Sequence, residues 1–263
     1  PQIVYNFPLP PLILHAFHTA SAHQLSAWAA TLKLPSNHVT FFNFCASHDG
    51  IGLTPARGIL SNAEIDAMAA RVQALGGFVS YKANGDGSQS PYELNISYLN
   101  ALGVPHKAEP DALIARRFLA SQAIMLALRG VPGIYFHSLF GSQNWPEGVR
   151  KTGRSRSINR QKFQRSILED ELKSGLRQQI FSGYCDLLRW RTAEKAFHPV
   201  GEQSILNWHP ALFVVLRQKG GEAIYCLHNV SNQPVTLDLP VSGHELLRQT
   251  AVALLETFIT SSD

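Results

Sequence analysis

The chain has 263 residues, of which 45% are hydrophobic, 10% aromatic and 16% charged. That length allows one large domain, or a medium domain followed by a smaller one, with enough apolar residues for a buried core. Lys and Arg number 23 against 19 Asp and Glu, and the net charge of +4 is too small to indicate a nucleic-acid or membrane partner. Small anions remain candidate ligands.

The cysteines and the apolar start of the chain indicate where the protein works. Cys45, Cys185 and Cys226 are far apart and form neither a CxxC pair nor a metal-ligand pattern with histidine. The apolar stretch 8–17 is interrupted by prolines and is too short to span a bilayer. We therefore expect a cytoplasmic protein with free thiols, no membrane partner, no metal and no cofactor.

The amino-terminal part alternates predicted strands and helices. A strand-like run at 2–7 is followed by helical spacing at 20–32. The run 39–46 is aromatic and β-branched on both faces, as expected of a buried parallel strand. This alternation predicts an α/β fold.

Local capping and turn signals organise the next segment. Ser61 and Glu64 have capping-box spacing, which predicts a helix from there to about residue 75. A short strand is predicted at 78–82. The stretch 83–91 is rich in Gly, Asn, Asp and Ser and is predicted to be a long loop.

The pattern continues with the clearest helix of the chain, at 111–129. A strand is predicted at 134–138 and a further loop at 141–157. Two helical segments are predicted at 161–173 and 174–193. Alternating strands then follow at 204–208, 212–218, 223–229 and 234–239.

His48 and Asp49 follow the buried strand predicted at 39–46, at the end where α/β barrels place their catalytic residues. An isolated His-Asp-Gly tripeptide is explained as simply by a turn cap and a packed histidine. The neighbouring motifs therefore decide its interpretation.

Four motifs occur in a fixed order along the chain: HDGIG at 48–52, YELNISY at 92–98, GVPGIYF at 130–136 and GRSRSINR at 153–160. Together they resemble the α-amylase superfamily, glycoside hydrolase family 13, in its sucrose phosphorylase and glucosylglycerate phosphorylase-like branch. The resemblance implies the carboxy-terminal part of a (β/α)8 barrel, about strands six to eight, followed by a small antiparallel β domain. We place the two domains at 1–195 and 196–263.

The resemblance also implies roles for individual residues. Asp49 would be the carboxylate that stabilises the oxocarbenium-like transition state. His48 and Arg160 would bind the glucose ring. Tyr92 and Glu93 would lie on a mobile loop that shapes the acceptor side.

The remaining substrate-binding candidates are two amides within the same motifs, Asn95 and Asn159. The resemblance places Gln at the position of Glu93 in the sucrose-specific members, so the acceptor need not be fructose. The densest basic stretch, 150–160, is a candidate site for phosphate, although a solvated loop explains it more simply.

Two residues that the chemistry requires are absent from this sequence. Retaining glycoside chemistry needs a nucleophilic carboxylate and an acid/base carboxylate roughly 5 Å apart, and neither motif is present. We therefore expect a carboxy-terminal half, inactive alone, with exposed strand edges that favour a homo-oligomer or a complementing amino-terminal half.

The predicted function of the intact protein is glucosyl transfer from sucrose or a related α-glucoside to inorganic phosphate. One alternative is a hydrolase or transglucosylase of the same superfamily. Another is a non-catalytic carbohydrate-binding fragment.

Overall fold

The structure is a computed structural model that describes residues 2–36, 38–239, 242–247, 250–252 and 257–260. The α-helices are α1 (Leu9–Thr19), α2 (His23–Ala30), α3 (Asn62–Ala74), α4 (Tyr98–Ala101), α5 (Asp111–Ala127), α6 (Phe136–Leu139), α7 (Pro146–Thr152), α8 (Arg165–Glu171) and α9 (Gly175–Ala193). The strands are β1 (Ile3–Tyr5), β2 (Thr40–Asn43), β3 (Ile51–Gly52), β4 (Phe78–Ala83), β5 (Gln89–Asn95), β6 (Val131–Pro132), β7 (Glu202–Leu206), β8 (Leu212–Lys219), β9 (Glu222–Asn229), β10 (Val235–Asp238), β11 (Gly243–Glu245), β12 (Thr250–Val252) and β13 (Thr257–Thr260).

A parallel sheet of three strands organises the amino-terminal part, in the order β1-β2-β6. Ile3 pairs with Thr40, and Phe42 pairs with Val131, both in parallel register. Helices connect the strands, as in consecutive β/α units of a barrel. This arrangement confirms the predicted α/β class and the number of barrel strands, although the third strand lies at Val131–Pro132.

The apolar start of the chain forms a helix that the prolines had obscured. α1 carries Pro10 and Pro11 in its first turn, where backbone N–H groups lack helical partners in any case. Ala20 ends α1 in a left-handed conformation with φ of 52°. The helix predicted at 20–32 is correspondingly shorter and forms α2.

The predicted loop at 83–91 is instead part of a β-hairpin. β4 and β5 pair antiparallel around a turn in which Asp86 accepts hydrogen bonds from Ser88 and Gly87 has φ of 83°. β5 also pairs with β3. The turn residues indicated a reversal, but the composition did not reveal that both flanking segments pair.

The prediction of a strand at 134–138 is wrong. The parallel partner β2 ends at Asn43, so no described strand is available to pair with residues beyond 133. Gly133 donates its backbone N–H to Asn43 O at 2.7 Å, which closes the pairing. The chain then turns into α6. The segment predicted as a loop at 141–157 likewise contains a helix, α7.

The strands β7, β8 and β9 form an antiparallel sheet against the helical layer. Phe213 and Val215 of β8 belong to the same buried cluster as the core residues of α5. Arg217 is fully buried and donates to Ala127 O, at the end of α5, at 2.8 Å. The division at residue 195 stays a prediction. In the described ranges, no helix combines the length and the apolar character needed to cross a membrane.

Candidate active site

The segment after β2 carries His48 and Asp49 beyond the carboxyl end of the parallel sheet. Asn159 supports this segment from a different part of the chain. Its Nδ2 donates to Ser47 O at 3.3 Å and to Asp49 O at 3.1 Å. Two sequence-distant motifs therefore meet at the edge where β/α barrels place their chemistry.

Two guanidinium groups converge on one carboxylate oxygen of Asp49. Arg156 Nη1 lies 2.7 Å from Asp49 Oδ1, and Arg160 Nη2 lies 3.3 Å from the same atom. Arg160 Nε also donates to His48 O at 2.5 Å. The other oxygen, Asp49 Oδ2, lies 3.7 Å from His48 Nε2. One oxygen of Asp49 is therefore fixed by cations, whereas the other faces His48.

Glu93 anchors Arg156 from the opposite side. Arg156 Nη2 lies 2.8 Å from Glu93 Oε1, and Arg156 Nε donates to Glu93 Oε2 at 3.2 Å. The hydrogen bond with Glu93 is the main cause that raises the pKa of the Arg156 guanidinium above its ordinary value. This side-on, bidentate geometry fixes the plane of the guanidinium.

The carboxylate of Glu93 is itself held in place. It is 6% exposed and accepts the backbone N–H of Gly50 at 3.0 Å. A Cβ added to Gly50 would lie 2.6 Å from Glu93 Cγ, so the approach of the two segments requires glycine. Arg156 binds Asp49, Glu93 binds Arg156, and Gly50, the residue after Asp49, binds Glu93. These contacts therefore form one closed network.

Tyr135 lies next to this network and supports the short 3-10 helix at 155–159. Its hydroxyl donates to Asn159 O at 3.0 Å. Burial raises the pKa of the Tyr135 hydroxyl, while the positive charge of Arg160 opposes that shift. The hydroxyl is therefore a hydrogen-bond donor at neutral pH.

The other predicted residues differ in position from the expectation. Tyr92 and Glu93 lie on strand β5 rather than on a loop. Asn95 is 1% exposed and donates to Ser80 Oγ at 2.9 Å, inside the hairpin. Asn159 is buried and binds backbone carbonyls. The structure thus brings His48, Asp49, Glu93 and Arg160 together and places the two amides in supporting positions.

Arg156 is the residue that sequence reasoning did not select. It belongs to the basic stretch 150–160, which was the available signal. Nothing in the sequence indicated which arginine would reach Asp49. Within the described part of the chain, no group of three or more His, Cys, Asp or Glu could hold a metal ion.

Known proteins with similar sequences are phosphorylases. The chain is 46% identical to glucosylglycerate phosphorylase of Spirochaeta thermophila, over 100% of this chain and 44% of that protein. It is 32% identical to sucrose phosphorylase of Agrobacterium vitis, over 74% of this chain and 38% of that protein. No family model matches the chain. The chain therefore spans less than half the length of these relatives.

Solved structures support the fold. Sucrose 6F-phosphate phosphorylase from Thermoanaerobacter thermosaccharolyticum matches with a TM-score of 0.72 and 21% identity, over 87% of this chain and 43% of that one. An alpha-amylase from H. orenii matches with a TM-score of 0.56 and 14% identity, over 90% of this chain and 40% of that one. The predicted resemblance is confirmed: the chain is related along its length to the carboxy-terminal part of sucrose phosphorylase-like proteins of glycoside hydrolase family 13.

Proposed function

We propose that the protein containing this chain is a retaining phosphorylase that transfers a glucosyl group from an α-glucoside to inorganic phosphate. The observation that carries the proposal is the position of Asp49, held at the carboxyl edge of the sheet by Arg156 and Arg160. The 46% identity to a glucosylglycerate phosphorylase supports the same chemistry.

The reaction proceeds by two displacements at the anomeric carbon. A carboxylate contributed by the preceding part of the protein attacks this carbon, and the acceptor leaves with a proton from a second carboxylic acid. A phosphate oxygen then attacks the same carbon and releases the carboxylate, which gives α-glucose 1-phosphate. Both of these catalytic groups lie outside the present chain.

The role of Asp49 is electrostatic. Its Oδ1 is fixed by two guanidinium groups, so Oδ2 is the oxygen that accepts hydroxyl groups of the glucose ring. The carboxylate then lies beside the ring as positive charge develops on the ring, and the negative charge of the carboxylate stabilises the transition state. His48 is 72% exposed at its side chain and binds the same ring from the Oδ2 side.

Arg160, Glu93 and the amides complete the proposed substrate site. Arg160 holds the backbone of His48 and the carboxylate of Asp49, which fixes their relative positions. Glu93 acts through Arg156. Asn95 and Asn159 keep the hairpin and the 155–159 segment in place, and Tyr92 lies on β5 next to Glu93.

For the donor we propose a glucosylglycerate, because three relatives named glucosylglycerate phosphorylase share 46%, 45% and 39% identity with the chain. Sucrose phosphorylases are less similar, at 32% and 29%. The three cysteines are free in the structure, which supports the cytoplasm as the compartment.

The open sheet edge indicates how the barrel is completed. Ile3, Val4 and Tyr5 of the edge strand β1 are 44%, 39% and 55% exposed, and Phe7 is 55% exposed. We propose that a strand from the preceding part of the same protein pairs with β1 and covers these side chains. A second copy of this chain is the other occupant that an assay must separate.

An assay on the full-length protein tests the proposed activity. Release of glucose 1-phosphate is measured with glucosylglycerate or sucrose as donor, with and without phosphate. We expect phosphate-dependent release, faster from glucosylglycerate. Glucose release that does not depend on phosphate indicates a hydrolase, and no reaction with any donor contradicts the proposal.

A further inference from the structure

Arg156 uses only part of its hydrogen-bonding capacity within the network. A guanidinium carries five N–H donors. In Arg156, Nε donates to Glu93 Oε2 and Nη1 donates to Asp49 Oδ1, while Nη2 forms an ion pair with Glu93 Oε1. Even when one N–H group of Nη2 is assigned to the ion pair, one N–H group on each terminal nitrogen remains for an additional acceptor.

We propose that these two N–H groups form an oxyanion subsite beside Asp49. The ligand is an oxyanion group that takes part in the reaction, either the phosphate co-substrate or the carboxylate of an acidic acceptor. This inference rests on the proposed function, because it assigns the oxyanion to the site where the glucosyl group is transferred.

The accessible side of the network carries a net positive charge. The side chains of Arg156, Arg160 and Asp49 are 43%, 37% and 42% exposed, whereas that of Glu93 is 6% exposed. A ligand that approaches from solvent therefore meets two cations and one carboxylate. The second carboxylate, that of Glu93, is nearly buried and is already paired with Arg156.

The rigidity of Arg156 suits recognition of a planar pair of oxygens. Glu93 binds the guanidinium side-on and is itself held by the N–H of Gly50, so the free N–H groups point in a fixed direction. Carboxylates and phosphates present two oxygens that match an arginine fork, while a lysine ammonium offers only a point charge. Substitution by lysine therefore keeps the charge and removes the geometry.

The test compares Arg156→Lys and Arg156→Gln with wild type in the full-length protein. Arg189→Lys is the matched control, because Arg189 is an exposed arginine on α9 outside the basic stretch 150–160. Three quantities are measured: KM for phosphate in phosphorolysis, KM for glycerate as acceptor from α-glucosyl fluoride, and kcat for phosphate-free hydrolysis of α-glucosyl fluoride. Thermal unfolding of each variant verifies folding.

We expect Arg156→Lys to raise the KM of one oxyanion about tenfold or more, and to lower hydrolysis by a smaller factor. A rise for phosphate identifies the co-substrate, and a rise for glycerate identifies the acceptor carboxylate. Arg189→Lys is expected to change each KM less than twofold.

If the variants keep both oxyanion KM values while hydrolysis and transfer fall by the same factor, the proposed oxyanion subsite is wrong. Arg156 then acts only by positioning Asp49. The two proposals fail in different ways. If the wild type hydrolyses α-glucosyl fluoride without any phosphorolysis, the proposed function fails. The glycerate KM then still decides whether Arg156 binds an oxyanion.

Discussion

Arg156 Nη1 contacts Asp49 Oδ1 at 2.7 Å, although 107 residues separate them in the sequence. The contact joins the segment after β2 to the 3-10 helix at 155–159. It fixes one oxygen of the carboxylate to which we assign transition-state stabilisation, and it makes the position of that oxygen depend on Glu93.

Glu93→Gln tests this dependence. Glutamine keeps an acceptor for the Gly50 N–H but loses the charge that holds Arg156, so kcat/KM of the full-length protein is expected to fall about 10- to 100-fold. The free energy of unfolding is expected to fall by about 1–2 kcal/mol, less than for a fully buried pair because Arg156 is half-exposed.

The control for this substitution is Glu147→Gln, which removes an exposed ion pair with Lys151. It is expected to change the free energy of unfolding by less than about 0.5 kcal/mol. If Glu93→Gln behaves like this control in both activity and urea unfolding, the network does not position Asp49.

The half-buried His18 and the buried His228 predict that stability depends on pH. Burial lowers the pKa of His18 and of His228 from 6.5 to about 4. The unfolded chain takes up these protons near pH 6.5 and the folded chain only near pH 4, so the stability present above pH 6.5 is lost as the pH falls toward 4. Each histidine contributes a slope of about 1.4 kcal/mol per pH unit within this window.

Urea unfolding at several pH values measures this slope in wild type and in His18→Gln. Glutamine can still donate to Ala101 O, the partner of His18 Nε2 at 2.8 Å, but it does not titrate. Between pH 4 and pH 6.5, we expect the slope of unfolding free energy against pH to be lower in the variant by about 1.4 kcal/mol per pH unit. Equal slopes in both proteins would show that His18 does not titrate differently on folding.

Asn43 holds the three parallel strands together. It is fully buried, accepts from Asn6 Nδ2 at 2.6 Å and donates to Arg129 O at 3.0 Å. Asn43→Ala leaves both partners unsatisfied and is expected to cost about 2–4 kcal/mol in the free energy of unfolding. Gln73→Ala, at an exposed amide on α3, is expected to cost less than about 0.5 kcal/mol. If Asn43→Ala and Gln73→Ala lower the free energy of unfolding by similar amounts, Asn43 does not hold the strands together.

The exposed edge strand predicts self-association of this chain when it is produced alone. Val4→Lys places a charge on β1 and is expected to reduce association in sedimentation analysis. Ile167→Lys, at an exposed isoleucine on α8, is expected to leave association unchanged. A sharp monomer with a cooperative thermal transition in the unmodified chain would argue against an unsatisfied edge.

Capping motifs and the periodicity of apolar residues correctly predicted the helices and strands whose formation is determined by residues close in sequence. The capping box at Ser61 and Glu64 is present, with the Ser61 backbone N–H donating to Glu64 Oε2 at 2.8 Å. The long helices α5 and α9 and the strands β8 and β9 lie close to their predicted ranges. In each case the composition of the element itself determines its type.

Long-range contacts limited the remaining predictions. β6 stops where β2 stops, and the β4-β5 hairpin depends on pairing that the loop-like composition of 83–91 concealed. Glu93 and Arg156 are 63 residues apart, so the sequence alone did not reveal that Glu93 is buried against a guanidinium. Four motifs identified the site region, but the residue that connects two of them was visible only in the fold.

The role of Asp49 is tested most directly by kcat for phosphate-dependent release of glucose 1-phosphate by Asp49→Asn in the full-length protein. Asp66→Asn, at an exposed position on α3, is the control. We predict a loss on the order of 10²–10³-fold for Asp49→Asn with folding retained, since the carboxylate charge stabilises the transition state. A change of less than about threefold, equal to that of the control, would contradict the assignment of Asp49.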